Sequence, residues 1–367
     1  MRVLIDAHML GQRETGNETY VRGLLSGLAS LDDVTVAAAI DPDYEIEENS
    51  SVAWLRLPTS SSWRRLSGDL AALCRRWNAD IVHSTYLAPY RLPCPAAVSV
   101  HDVSFRRFPE FFSLRDRLLF SSLLPGSLRR AAGILTLSSH TRDEVHACFP
   151  QLKTSIHVVP AAPGAVFRPM TDEIVDPVLL RNGLRRPYFL AVGSLQPRKN
   201  LLRLIEAYAD VRRLHPEINL VIVGPGGFRA SRIRDAIVER GLSDTVRWLG
   251  YVTDSDLAAI YNAAIALVYP SVYEGFGLPV IEAMACGRPV IAANTSSLPE
   301  VAGDAGILVD PLDVSGLRDA MMRVLDDPQA ARDLGARGLA RAAQFSWRRS
   351  AEMAVAAYRV ACETRSK

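Results

Sequence analysis

The sequence predicts an α/β protein made of two parallel, helix-covered sheets in tandem, and three observations carry that reading. Short apolar runs alternate with amphipathic stretches through most of the chain, the pattern of strand–helix–strand units. The runs form two series, separated by a proline-rich segment. The length of 367 residues corresponds to about two domains at roughly 150 residues each.

Residues 3–5 open the first series, and residues 34–40, 81–83, 97–100, 134–137 and 156–159 continue it. Each is rich in Val, Ile or Ala and too short for a free-standing helix. The second series runs through residues 188–192, 219–223, 246–249, 266–269 and 289–292. Leu201, Leu204, Ile205, Tyr208 and Val211 lie between its first two members at a spacing that puts one apolar helix face on a sheet. Pro160, Pro163, Pro169, Pro177 and Pro187 mark the connection. The expected division is therefore a first Rossmann-like domain over 1–165, a linker over 166–186, a second Rossmann-like domain over 187–345 and a C-terminal helix over 346–367. The helix is expected to pack back on the first domain, and no strand is expected after Gly303. Ligands of open parallel sheets bind beyond the carboxyl ends of the strands, so the expected site is a cleft between the two sheets.

Composition excludes several classes. Hydrophobic residues make up 49% and charged residues 22%, ordinary for a globular chain and wrong for a disordered or fibrous one. Net charge is +2, with 17 basic and 17 acidic residues in 1–165 and 25 and 23 in 166–367. Neither half is a polyelectrolyte, so nucleic acid is not an expected partner. The start does not read as a signal peptide, and no run approaches the ~18 apolar residues that cross a bilayer, so the expected location is cytoplasmic. Cys74, Cys94, Cys148, Cys286 and Cys362 are scattered, which suggests reduced thiols and neither a zinc site nor a disulfide framework.

The most informative segment is 269–287. A strand ends at Tyr269, a glycine-bearing loop follows, Pro279 stands where a first helical turn would begin, and Gly287 stops the helix. Such a turn presents backbone N–H groups where positive partial charge favours phosphate. Glu274 lies in the loop and Glu282 in the helix, and sugar hydroxyls donate well to carboxylates. A second segment, 192–201, again runs from a strand into a loop, with Asn200 placed to cap the next helix. Arg198 and Lys199, the latter one of only three lysines among 42 cations, fit a diphosphate as a planar fork and a point charge, or else are solvated surface.

Glu274, seven intervening residues and Glu282, set in Glu-Gly-Phe-Gly-Leu-Pro and followed by Glu-Ala-Met-Ala-Cys-Gly-Arg-Pro-Val, resemble the E-x7-E motif of family 4 retaining glycosyltransferases. The resemblance covers essentially the whole chain. It implies the GT-B architecture, two facing Rossmann-like domains, with a nucleoside-diphosphate sugar as donor and no further cofactor. It also implies that Glu274 contacts the donor sugar, that Glu282 contacts the ribose, and that Gly275, Phe276, Gly277 and Leu278 line the donor. Arg198 and Lys199 then neutralise the diphosphate without an obligatory metal. In keeping with this, Asp254-Ser255-Asp256 has the spelling of a metal motif but reads as a helix start.

Weaker signals complete the set. Gly16, in the loop 13–21, corresponds to the family's phosphate-facing glycine, although relatives carry a second glycine where this chain has Asn17 and Glu18. His101 and Asp102 follow a strand, and the resemblance places such a pair beside the donor sugar and acceptor, so both join Glu274 as catalytic candidates; a lone histidine there otherwise reads as structural. Tyr251 and Val252 match the stretch whose backbone meets the nucleobase. Ser138 reads as a helix cap, and Gly224-Pro225-Gly226-Gly227 lacks the full dinucleotide fingerprint. Residues 105–131 hold six arginines against Glu110 and Asp116 among large apolar side chains. This stretch is read either as a helix packed on the first domain or as a peripheral contact with anionic lipid at the inner face of the plasma membrane. The function expected is transfer of a hexose, with GDP-mannose as first choice of donor, to a glycan or lipid-linked hydroxyl in bacterial surface-polysaccharide synthesis. The alternatives are a non-catalytic sugar-nucleotide-binding protein and a GT-B epimerase or phosphorylase.

Overall fold

The computed structural model describes residues 1–12, 15–46, 51–227 and 230–365. Arg13 and Glu14 of the amino-terminal loop lie outside the described residues. The chain divides into two compact units, residues 1–109, 114–162 and 345–367 forming unit 1 and residues 110–113 and 163–344 forming unit 2.

Unit 1 is built on seven parallel strands: β1 (Arg2–Asp6), β2 (Thr35–Ile40), β3 (Ala53–Arg56), β4 (Ile81–Thr85), β5 (Ala96–Val100), β6 (Gly133–Thr136) and β7 (Ile156–Val158), in the order β3-β2-β1-β4-β5-β6-β7. Its helices include α1 (Thr15–Ala29), α2 (Ser62–Arg64), α3 (Leu70–Trp77), α4 (Ser104–Arg107), α5 (Leu114–Arg130) and α6 (Ser139–Cys148). Val3, Leu4, Val82, Val98 and Ile134 are fully buried, as expected for strands covered on both faces. Ser138 caps α6 by accepting from the Thr141 amide. Cys74 and Cys94, far apart in sequence, bring their thiols to 3.1 Å inside the core around Leu4, Leu57 and Leu70.

Unit 2 has six parallel strands: β8 (Tyr188–Val192), β9 (Asn219–Val223), β10 (Val246–Trp248), β11 (Leu267–Tyr269), β12 (Val290–Ala293) and β13 (Ile307–Val309), in the order β10-β9-β8-β11-β12-β13. Its helices are α7 (Asp172–Arg181), α8 (Leu201–Leu214), α9 (Ala230–Glu239), α10 (Asp254–Ala263), α11 (Leu278–Ala285), α12 (Leu298–Ala302), α13 (Val314–Asp326) and α14 (Pro328–Ala342). The predicted face of α8 is the buried one. Two strands depart from expectation, β3 and β13, each short and at the rim of its sheet. Residues 166–186 also differ from a plain connection: they carry α7, which packs on α10.

The last helix, α15 (Trp347–Arg365), packs on α1 and β6. The approach to α1 is close enough to dictate sequence. A Cβ on Gly23 would stand 2.0 Å from the Trp347 ring, and one on Gly27 2.1 Å from the Trp347 carbonyl oxygen. Beneath this contact a buried polar chain ties α15 to the sheet. Tyr358 Oη lies 2.5 Å from His83 Nδ1, His83 Nε2 lies 2.7 Å from Ser99 Oγ, and Ser99 Oγ lies 2.7 Å from Tyr20 Oη.

Candidate functional site

The order of the unit 2 sheet reverses between β8 and β11. Open parallel sheets bind ligands outside the carboxyl ends of the strands at such a reversal. Two loops meet there, one after β8 and one after β11, joined by the Val272 amide donating to the Arg198 carbonyl at 2.8 Å. The β8 loop can pass close to its neighbour because Gly224, φ +145°, offers no Cβ; one would lie 2.2 Å from the Gly193 oxygen. The glycine run after β9 therefore serves backbone packing. Asn200 occupies the N-cap position before α8 but makes no side-chain cap. Its Nδ2 instead donates to the carbonyls of Pro270 and Pro311 at 3.1 and 2.6 Å, pinning the β11 loop.

These loops bring Arg198, Lys199 and Glu274 together. Lys199 Nζ donates to Glu274 Oε1 at 2.7 Å and to Tyr269 Oη at 2.5 Å, while Tyr269 Oη donates to the same Oε1 at 3.0 Å. Arg198 Nη1 donates to Glu274 Oε2 at 2.6 Å. Burial alone would push the Glu274 carboxyl up, but the Arg198 and Lys199 cations more than offset it and hold the group at about 2. The Glu274 backbone is fixed as well: its amide donates to Ser296 Oγ at 3.0 Å, and its carbonyl accepts from Ser297 Oγ at 2.9 Å. The three charges sum to one net positive charge in a nearly dry place, where electrostatic interactions are stronger than in water.

The run Gly275, Phe276, Gly277 and Leu278 leads directly into α11, with Gly277 at φ +106° and Pro279 in the first turn. Ser297 Oγ also donates to the Phe276 carbonyl, holding this run in place. Glu282 sits in the second turn of α11 and differs from Glu274. Its Oε2 accepts from Tyr261 Oη at 3.1 Å, and no cation offsets its burial, which pushes the carboxyl up to about 8. Near neutral pH Glu274 is therefore an anion and Glu282 a neutral acid that can donate as well as accept.

Tyr251 and Val252 follow β10 on the same carboxyl edge, after Gly250, whose carbonyl accepts from the Gly224 amide at 2.8 Å. Tyr251 is exposed. Asp254 and Asp256 lie in the first turn of α10, where Thr253 accepts from the Asp256 amide and Arg181 pairs with the Asp256 carboxylate.

The other candidates belong to unit 1. His101 follows β5 and is buried, with Nδ1 2.8 Å from Asn17 Oδ1. Burial lowers its pKa to about 4, against a smaller opposing effect of Asp102, so the ring is neutral. With Nδ1 donating to Asn17, the lone pair is on Nε2, which is buried without a protein partner. Asp102 Oδ1 accepts from the Ser104 amide and hydroxyl at 2.9 and 2.5 Å. Gly16 lies in the first turn of α1, not in a loop before it, and a Cβ there would meet open space.

Sequence reasoning missed Tyr269, Tyr261 and Asn17. Tyr269 had a visible signal, a polar-tipped aromatic closing a buried strand beside the glycine loop. Asn17 stands where the family has a second glycine, and in this chain it orients His101.

Comparison with known proteins places the chain. The profile of glycosyl transferases group 1 matches residues 180–341, and that of Glycosyltransferase Family 4 matches residues 15–162. The chain is 37% identical over 282 residues to O-antigen chain mannosyltransferase B of Escherichia coli, covering 75% of this chain and 72% of that one. The chain belongs to glycosyltransferase family 4. This family 4 glycosyltransferase is also 33% identical over 233 residues to the serotype-specific mannosyltransferase WbdA of Escherichia coli, of which it spans 28%. Among solved structures, sucrose-phosphate synthase from Thermosynechococcus elongatus superposes with a TM-score of 0.80 at 25% identity, over 98% of each chain. The fold of this family 4 glycosyltransferase is thus GT-B, and the enzyme is a hexosyltransferase. Among the described residues, no helix is long and apolar enough to cross a membrane.

Proposed function

We propose that this enzyme transfers a mannosyl group, with retention of configuration, from GDP-mannose to a hydroxyl of a glycan or lipid-linked acceptor in surface-polysaccharide synthesis. The single observation that carries the donor half is the pairing of Arg198 and Lys199 on buried Glu274 at the β8–β11 reversal. The mannosyl choice rests on the names of the relatives.

In this reading Arg198 and Lys199 face the donor diphosphate, beside the amide-bearing start of α11, and stabilise charge as the glycosidic bond loosens. The protein's own cations do this work, without a metal or cofactor. Glu274 aligns the sugar, Glu282 the ribose, and Tyr251 and Val252 the base. His101 positions the sugar by accepting a hydroxyl at Nε2, and the proton of the attacking hydroxyl passes to the leaving diphosphate.

The test is donor binding and turnover across GDP, UDP and ADP sugars. GDP-mannose is expected to bind tightest, and Lys199→Ala and Glu274→Ala to lower turnover by about a hundredfold or more while the chain stays folded. Unchanged kinetics in both variants would remove the site assignment, and binding without transfer to any acceptor would favour a sugar-nucleotide sensor.

The membrane contact belongs to the same proposal. Arg106 stacks on Phe149 and Arg107 pairs with Glu144, but Arg115, Arg117, Leu114, Leu118 and Leu119 of α5 are exposed. Flotation with vesicles containing anionic lipid is expected to carry the enzyme, and flotation independent of lipid charge would exclude this contact.

A further inference from the structure

Unit 1 holds a second group of charged side chains that the donor reading leaves unused. Its sheet also reverses, between β1 and β4, so the same rule directs a ligand to the carboxyl ends of those strands. Asp6 is the last residue of β1, and His8 follows two positions later. Asp6 Oδ1 lies 2.9 Å from His8 Nδ1, and Arg65 Nη1 lies 3.3 and 3.2 Å from Asp6 Oδ1 and Oδ2. Asp6 and Arg65 are 2% and 6% exposed, whereas the His8 side chain is 27% exposed.

Stability does not account for this arrangement. Desolvating an Arg–Asp pair offsets most of its Coulomb attraction. Arg65 Nε is in addition buried without a partner, a further cost. Arg65 opens a π-helical turn, Arg65–Asp69, a rare form that is frequent at functional sites. Across the reversal, Tyr86 follows β4 at φ +60°, a conformation that bulky residues rarely adopt. Of the three side chains joined through Asp6, only His8 is open to solvent.

The chemistry of that group follows from its neighbours. Asp6 accepts from Nδ1–H, which leaves Nε2 as the ring atom that can face a ligand. Asp6 and Arg65 cancel in charge. The cluster therefore differs from the cationic pair of unit 2 and suits an uncharged hydroxyl over a phosphate. We propose that His8, held by Asp6 and Arg65, binds a hydroxyl of an uncharged sugar acceptor. His8 makes the contact, and Asp6 and Arg65 are positioning residues. The word acceptor rests on the transferase reading above; the sugar site itself does not.

Titration of the full chain, labelled with [15N]histidine, by methyl α-mannopyranoside and separately by mannose 6-phosphate reads binding without turnover. The neutral glycoside is expected to shift the His8 Nε2 resonance, assigned by its loss in His8→Ala, and the phosphorylated sugar to bind about tenfold more weakly. In transfer from GDP-mannose to the glycoside, His8→Ala is expected to raise acceptor KM about tenfold, with donor Kd within about twofold of the parent. His8→Gln, which keeps an acceptor atom, is expected to recover part of the loss. An unshifted His8 resonance at about 100 mM glycoside, an unchanged acceptor KM in His8→Ala, or tighter binding of the phosphorylated sugar would overturn the proposal. A shifted His8 in a chain that neither binds nor turns over GDP-mannose would support the site and count against the transferase reading.

Discussion

Lys199 Nζ stands 2.7 Å from Glu274 Oε1, and both side chains are more than nine-tenths buried. Removing one member of such a pair leaves an uncompensated buried charge, which costs several kcal/mol, whereas removing both leaves only the partly exposed Arg198. Arg198 remains on Glu274 when Lys199 is lost and lessens the cost. Lys199→Met is therefore expected to destabilise by about 2 kcal/mol, and Lys199→Met with Glu274→Gln by less than the sum of the single changes. Urea unfolding of the four proteins measures the coupling, and additive effects would show that the pair does not act as a unit.

Glu282 gives a stability term of the opposite kind. Its folded pKa of about 8 lies above the ordinary 4.5. Folding thus favours the protonated acid, and stability falls as pH rises from about 4.5 to 8. Glu282→Gln keeps the shape without the ionisation. It is expected to be near neutral in effect at pH 4 and to raise stability by about 3 kcal/mol at pH 7. A melting-temperature difference between variant and parent that does not grow with pH would exclude a neutral Glu282.

His101 titrates in the other direction. Its folded pKa of about 4 lies below the ordinary 6.5, so its contribution is present above 6.5 and is lost as pH falls toward 4. His101→Gln is expected to flatten the decline of stability between those values by about 3 kcal/mol. Parallel stability–pH curves for variant and parent would show that His101 charges freely in the folded chain.

Gly27 sets a contest between two effects. An interior helical glycine replaced by alanine ordinarily gains about 1 kcal/mol. Here the new methyl would meet the Trp347 carbonyl at 2.1 Å, and main chain cannot step aside cheaply. Overpacking costs about 1–3 kcal/mol, so Gly27→Ala is expected to destabilise on balance. Gly16→Ala, with open space around its Cβ, is the control expected to be neutral or stabilising. A rise in melting temperature for Gly27→Ala would mean that α15 does not pack as described.

What the sequence made legible follows from how local each signal is. Eleven strands were visible as apolar runs because they are buried on both faces or bounded by clear turns. β3 and β13 were not, since rim strands with half-buried residues need no apolar run. α7 was masked by the prolines around it, including Pro177 inside the helix. Glu274, Glu282, Arg198 and Lys199 could be picked out because a glycine loop and a helix start are local patterns. Their charge states could not, because the fold decides each: Arg198 and Lys199, distant in sequence, offset the burial of Glu274, whereas Glu282 is buried with no such cation. The Cys74–Cys94 approach and the Asn17–His101 contact escaped notice for the same reason.

The place of α15 has a consequence for synthesis on the ribosome. Unit 2 is nearly continuous in sequence and can close while the chain is still growing. Unit 1, which is translated first, keeps the groove beside Gly23 and Gly27 open, and His83 without Tyr358, until residues from Trp347 onward have emerged. The earlier-made half is thus completed last, and a chain halted before Trp347 exposes the apolar seam of α1 to whatever chaperone or protease waits at the tunnel exit.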